Sequence, residues 1–242
     1  MIEELLPSVA AAAATAGDLP AADLHPEELA LVRRMVPSRR QEFATGRHCA
    51  RQALGLLGVP PGPIARTEGG APRWPDGTVG SMTHCAGYRA AAVARRRDLL
   101  ALGIDAEPHA ALPGDVRQAI TLGSERVALA DLAAAHPRIH WDRLLFSAKE
   151  SVYKAWHPLT GRWLDFTDAV LAFDPVHNTF TARLLVTPCT PAERRFPLEF
   201  SGRWAVRAGL ALTAVAIPAP TAGGGTRPVT GDANRPDEQS GR

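Results

Sequence analysis

The chain has 242 residues, 45% of them apolar and 21% charged, enough for one large domain or two small ones with a real core. A net charge of only +2 gives little support to a general nucleic-acid role, and no stretch approaches the ~20 apolar residues that span a bilayer. Cys49, Cys85 and Cys189 lie far apart without a C-x-x-C pair, which argues against a disulfide framework or a zinc site and fits a reducing compartment.

In chain order, the Ala-rich lead from Pro7 to Gly17 resembles a signal-peptide core, but Glu3 and Glu4 stand where positive charge belongs. It reads as a loose or helical lead, and the protein as cytoplasmic. His25-Pro26-Glu27-Glu28 starts a short helix with Pro at its first position. Ser38-x-x-Gln41 is a capping box opening a second helix that runs to Leu57 and stops at Gly58. Turn signals follow at Pro60 to Pro63, Gly69-Gly70 and Pro75-Asp76-Gly77. Val79–His84, Arg89–Ala94 and Leu99–Asp105 then read as strands of one antiparallel sheet.

Further helices are expected around Ser124–Ala135 and from Trp141 to about Trp156. In the latter, Leu145, Ala148, Val152 and Ala155 recur at helical spacing. Ala169–Phe173, Phe180–Val186 and Trp204–Ile217 suggest later strands. Each half thus runs helices first and strands after, an α+β pattern with a boundary near residue 101. Residues 1–101 form one half and 102–217 the other. Residues 218–242, with almost nothing apolar, read as a disordered tail.

Three groups of residues could carry chemistry. Gly103-Ile104-Asp105-Ala106-Glu107 ends an apolar run, and on a strand Asp105 and Glu107 would project from one face. Two carboxylates there suit Mg²⁺, a hard cation that prefers oxygen; a solvated acidic turn is the plainer alternative. The second group is Lys149, Glu150 and Lys154, flanked by Trp141, Phe146, Tyr153 and Trp156. Glu150 and Lys154 are four residues apart on one helix face, the spacing of an ordinary surface ion pair. The aromatic flanks argue that this helix is largely buried, where a carboxylate beside an amine needs a partner or a ligand. The lysines themselves sharpen the point, because the 27 basic residues include only these two. An ammonium is a compact charge with a movable pKa, whereas a guanidinium is not.

The third group is diffuse: Arg39, Arg47 and Arg51 on the second helix, Arg66 in the next loop, and His84 after Ser81-Met82-Thr83. Singly they read as solvated cations; together they could bind a polyphosphate through bidentate guanidinium contacts. No G-x-x-x-x-G-K-[ST] loop, G-x-G-x-x-G, H-E-x-x-H or G-x-S-x-G is present, which weighs against P-loop, Rossmann, zincin and α/β-hydrolase chemistry.

The Gly103–Glu107 stretch, together with Phe146-Ser147-Ala148-Lys149-Glu150-Ser151-x-x-Lys154-Ala155, resembles the 4′-phosphopantetheinyl transferases of the surfactin- and enterobactin-type class. Arg47 to Arg51, Trp74 to Gly77 and Gly80 to Cys85 resemble its actinobacterial branch, and the similarity runs from about Ser38 to Ile217. The resemblance implies a pseudo-dimer of two similar α+β halves, with coenzyme A in the cleft between them. It implies Mg²⁺, or Mn²⁺ in its place, on Asp105, Glu107 and Glu150. Arg39, Arg47, Arg66, His84 and Lys149 would hold the 3′-phosphoadenosine and pyrophosphate of coenzyme A, with Lys154 near the transferring phosphate.

The implied reaction moves the phosphopantetheine arm to a serine of an acyl or peptidyl carrier protein and releases 3′,5′-ADP. Glu150 takes the serine proton, directly or through a water, and the partner is an acidic helical carrier that meets a loop at His109–Arg126. Several relatives carry a lysine between the positions of Arg66 and Pro72. Thr67-Glu68-Gly69-Gly70-Ala71 stands there instead, so Arg66 or Arg73 would supply the charge. A monomer is expected, without membrane or nucleic-acid partners. Two other functions share these residues: a Mg²⁺-dependent pyrophosphatase acting on coenzyme A or nucleotides, and a non-catalytic module that binds coenzyme A or carriers.

Overall fold

A computed structural model describes residues 1–19, 24–67, 69–190 and 193–220. Its strands are β1 (Ala10–Thr15), β2 (Thr78–Cys85), β3 (Tyr88–Arg95), β4 (Leu99–Pro108), β5 (Ala169–Asp174), β6 (Thr179–Leu184), β7 (Glu199–Arg207) and β8 (Leu210–Pro218). Its α-helices are α1 (Pro26–Val32), α2 (Pro37–Leu56), α3 (Gly114–Ile120), α4 (Gly123–Ala135) and α5 (Trp141–Thr160). The strands form two antiparallel sheets, one of order β1-β3-β2 and the other of order β4-β8-β7-β6-β5. The protein is α+β.

The three strands expected in one sheet are therefore divided. β4 follows β3 through a short turn but takes its ladder from β8, with Asp105 opposite Thr213. Between β2 and β4 two hydroxyls replace the ladder: Ser81 Oγ accepts from Ile104 N at 3.1 Å, and Thr83 Oγ1 accepts from Ala106 N at 3.0 Å. The two sheets thus meet along a seam of buried side-chain hydrogen bonds.

The Ala-rich lead is a strand, not a loose or helical segment. β1 pairs residue for residue with β3, from Ala10 opposite Ala94 to Thr15 opposite Arg89. Alanine favours helix by intrinsic propensity, but small side chains on both strands let α2 pack closely on this sheet, and tertiary contact overrides propensity. α2 opens at Pro37 with Val36 as its N-cap, without the side-chain cap expected from Ser38. It ends before Gly58, whose φ of +67° is the left-handed conformation that glycine adopts most cheaply. Phe43, Arg47, Ala50 and Leu54 share its buried stripe, so a guanidinium occupies a core position.

α5 packs Trp141, Leu145, Ala148, Val152 and Trp156 against Phe180, Phe200, Trp204 and Val215 of the larger sheet. Each fully buried large side chain there contributes roughly 1.5–3 kcal/mol. The helix extends one turn past Trp156, through Pro158, and stops at Gly161. The long strand expected at Trp204–Ile217 is a hairpin of β7 and β8, turned by Ala208 and Gly209, both at positive φ. His109–Arg126, read as a loop, contains α3 and the start of α4. Most of the tail expected at 218–242 lies outside the described residues, which end at 220.

Candidate active site

The alternation of β4 sends Ile104 and Ala106, both fully buried, into the core, and turns Asp105 and Glu107 to the other face. α5 lies directly on this strand, because Gly103 offers no side chain to hold it away. Lys154 Nζ therefore reaches Asp105 Oδ1 at 2.6 Å. The ammonium thus pairs with the strand and not, as the four-residue spacing also allowed, with Glu150 along its own helix.

Asp105 is only 3% exposed, and its Oδ1 also accepts the Thr83 hydroxyl at 3.2 Å. Its Oδ2 is buried with no hydrogen-bond partner. Glu107 is half-buried and ion-paired with Arg143 at 3.1 Å. Burial, and then the charge of Asp105, raise the Glu107 carboxyl above its ordinary range. Glu150 is also half-buried; burial raises it, Lys154 lowers it and Asp105 raises it. Both carboxyls feel the charge of Asp105.

Among the described residues, no three His, Cys, Asp or Glu side chains already enclose a common point. The donor chemistry nevertheless fits a hard divalent cation. A bare buried carboxylate oxygen is costly without a partner, and two neighbouring carboxyls with raised pKa values are what a cation would relieve.

Arg39, Arg47, Arg66 and His84 line one cavity of about 140 Å³, beside Phe43, Met82 and Thr83. Arg47 stacks over the Phe43 ring at 4.0 Å, with Arg66 over the same ring at 5.1 Å. Arg47 Nε donates to Ile64 O, while its Nη2 is buried without a partner. Burial, followed by the Arg66 charge, lowers the Arg47 guanidinium to about 10, so it remains a cation at neutral pH. Arg39 lies 3.1 Å from His84 Nε2, and partial desolvation followed by Arg39 lowers the His84 pKa. Glu42 raises it and Lys154 lowers it slightly further, so His84 also feels the ammonium that holds Asp105.

An adjoining cavity of about 260 Å³ shares Gly70, Pro72 and Met82 with the first and adds Trp74, Tyr153, Lys154 and His157. Its walls come from the loop before β2, from β2 itself and from α5. Arg73 faces a different cavity, with Trp74 and Arg96, so Arg66 is the loop arginine that joins the cationic set. Arg51 instead meets Glu28 at 3.0 Å.

Lys149 does not join the set. It is 3% exposed, and its ammonium donates to Ile120 O, Glu125 Oε2 and Phe166 O at 2.8, 2.8 and 2.7 Å. Three donors on three acceptors leave none for a phosphate. On α5 the side chain at 149 points away from the face that carries Glu150 and Lys154.

Sequence reasoning missed Thr83, Arg143, Glu125 and Tyr153 as neighbours of the site. Phe43 could have been found, since it precedes Arg47 by one helical turn. Tyr153 adjoins Lys154 in the sequence and lines the same cavity. Thr83, Arg143 and Glu125 depend on contacts across 22 or more residues, as between Thr83 and Asp105, and no local pattern announces them.

A cavity lined by Arg39, Arg47, Arg66 and His84 lies beside Thr83, whose hydroxyl bonds Asp105, and guanidinium groups so gathered suit phosphate oxygens. Residues 27–94 match the 4′-phosphopantetheinyl transferase N-terminal domain, and residues 101–207 match the 4′-phosphopantetheinyl transferase superfamily. The chain is 58% identical over 223 residues to the 4′-phosphopantetheinyl transferase Svp of Streptomyces mobaraensis, covering 91% of this chain and 90% of that one. It is 51% identical over 198 residues to PptT of Mycobacterium tuberculosis, covering 79% and 85%. It is 46% identical over 223 residues to Npt of Nocardia iowensis, covering 89% and 99%. The chain belongs to the 4′-phosphopantetheinyl transferase superfamily. Among its described residues no helix is long and apolar enough to cross a membrane.

Proposed function

We propose that this transferase moves the phosphopantetheine arm of coenzyme A to a serine of an acidic, helical acyl or peptidyl carrier protein in the cytoplasm, with Mg²⁺ or Mn²⁺ held by Asp105, Glu107 and Glu150. The observation that carries the metal site is the bare, buried Oδ2 of Asp105 amid these carboxylates. The arrangement reads as a pseudo-dimer, residues 1–101 and 102–217, with the active site between the halves. Two features support it: α2 and α5, each 20 residues long, pack on different sheets, and the cavity at Lys154 has walls from both halves. One chain then completes the cleft, so the protein is a monomer. The carrier approaches over α3 and the start of α4, where Arg117 and Arg126 face its acidic surface.

Arg39, Arg47, Arg66 and His84 take the phosphates of coenzyme A, guanidinium forks matching phosphate oxygens. Glu150 accepts the proton of the carrier serine, a task suited to a carboxylate whose pKa burial has raised. The serine oxygen bonds to the phosphorus that bears pantetheine, and the bond from that phosphorus to 3′,5′-ADP breaks. Lys154 donates to the phosphoryl oxygens as charge develops. A divalent cation held by Asp105, Glu107 and Glu150 would supply positive charge to offset the charge developing in the transfer.

Coenzyme A followed by chromatography, with and without an apo carrier, tests the reading. Release of 3′,5′-ADP only with the carrier supports it. Release without a carrier would make the protein a pyrophosphatase, and coenzyme A bound but never cleaved would make it a binding module.

A further inference from the structure

Thr83 belongs to β2, yet its hydroxyl serves β4. Buried to 3% exposure, it accepts from Ala106 N at 3.0 Å and donates to Asp105 Oδ1 at 3.2 Å. Its one proton is thus committed to the carboxylate and one of its lone pairs to the next backbone amide. Oδ1 takes a second donor, Lys154 Nζ, whereas the equally buried Oδ2 takes none. A carboxylate gripped twice at one oxygen cannot rotate without breaking both bonds, and its other oxygen then has a fixed aim. Thr83 also lines the cavity of Arg39, Arg47 and His84. The strand that walls the phosphate cavity is thereby the strand that orients the carboxylate.

We infer that Thr83 is a positioning residue for the metal site: its hydroxyl holds Asp105 so that Oδ2 is presented to the cation. The inference rests on the transferase reading, in which Asp105 is a metal ligand. Ser81 provides the contrast. Its hydroxyl closes the same seam, on Ile104 N, but touches no carboxylate. Partners that orient a metal ligand typically set metal affinity by about 10- to 100-fold.

The test is Mn²⁺ binding by isothermal calorimetry to metal-free protein, with and without coenzyme A, on the wild type and on Thr83→Val, Thr83→Ala, Thr83→Ser and Ser81→Ala. Thr83→Val and Thr83→Ala should weaken Mn²⁺ by about tenfold or more, a larger factor than any change in metal-free affinity for coenzyme A. Thr83→Ser restores the hydroxyl and should recover Mn²⁺ affinity to within about threefold of wild type; Ser81→Ala should leave it unchanged while lowering the melting temperature. Because Thr83→Ala adds no bulk to the seam, it carries the test should Thr83→Val fail to fold. Wild-type Mn²⁺ affinity in Thr83→Ala overturns the inference, as does a Thr83→Ser protein as defective as Thr83→Ala. A loss confined to metal-free coenzyme A binding also overturns it, by making Thr83 a direct ligand. A wild type that binds no Mn²⁺ in either condition overturns the transferase reading's metal site and this inference together.

Discussion

A Cβ placed on Gly103 would lie 1.9 Å from the carbonyl oxygen of Ser151. β4 and α5 therefore touch backbone to backbone, and this contact lets Lys154 reach Asp105 at 2.6 Å. Buried hydroxyls fasten the same helix to β8, since Ser147 and Ser151 both bond Thr213, with Ser147 at 2.9 Å. Gly103→Ala must push the helix away. Overpacking of this kind costs about 1–3 kcal/mol, and a displacement of about 1 Å at catalytic groups costs about 10²-fold in rate. The expected result is a melting temperature lower by several degrees and a turnover reduced about a hundredfold, read by calorimetry and single-carrier kinetics.

Lys149 and Glu125 form a strut linking α4 to α5, with side chains only 2% and 1% exposed. Glu125 also accepts from Leu122 N and Leu171 N. Lys149→Met strands a buried carboxylate, at a cost of about 3–5 kcal/mol. Glu125→Leu combined with Lys149→Met should recover part of that loss. Coenzyme A affinity, measured by titration calorimetry, should remain near wild type in both variants. A large loss of affinity in a well-folded Lys149→Met protein would return Lys149 to the ligand set.

The cationic cavity predicts a different pattern. Arg39 and Arg66 are exposed at its rim, so Arg39→Ala and Arg66→Ala should fold normally. Each should raise the KM for coenzyme A, by about tenfold for the loss of one charged hydrogen bond, with much smaller effects on kcat. Steady-state kinetics at saturating carrier separates the two constants.

Burial and Asp105 raise both Glu107 and Glu150 above 4.5. Between 4.5 and the raised values the folded state holds more protons than the unfolded state. Stability from these two groups is therefore fully present at acid pH and is lost as pH rises through that window. Glu150→Gln cannot ionise, so in EDTA its melting temperature should gain on wild type as pH rises from about 4.5 to 7. Adding Mg²⁺ should stabilise wild type most at neutral pH and Glu150→Gln much less. Calorimetric melts across pH, with and without Mg²⁺, read both effects.

What the sequence made legible followed from local pattern. The alternation around Asp105 and Glu107, the stripe on α5 and the turn glycines all report on neighbours within a few residues, and these elements formed where expected. The split of β2, β3 and β4 between two sheets was not legible, because the order of strands along the chain does not say which strand β4 takes as its ladder partner. Alanines 10–14 misled for a related reason: their strand exists only because Ala90–Ala94 accept it. Lys149 misled through scarcity. Each ammonium pairs with a buried carboxylate, Lys149 with Glu125 between two helices and Lys154 with Asp105 on β4.

The most direct measurement is the intact mass of an apo carrier protein incubated with this protein, coenzyme A and Mg²⁺. The account predicts a gain of one phosphopantetheine on the carrier, abolished by EDTA and by Glu150→Gln and restored when Mg²⁺ is returned to the wild type. A full gain in EDTA, or an undiminished rate with Glu150→Gln, would contradict the role assigned to the carboxylate cluster. No gain on fatty-acid, polyketide or peptide carriers would contradict the transfer itself.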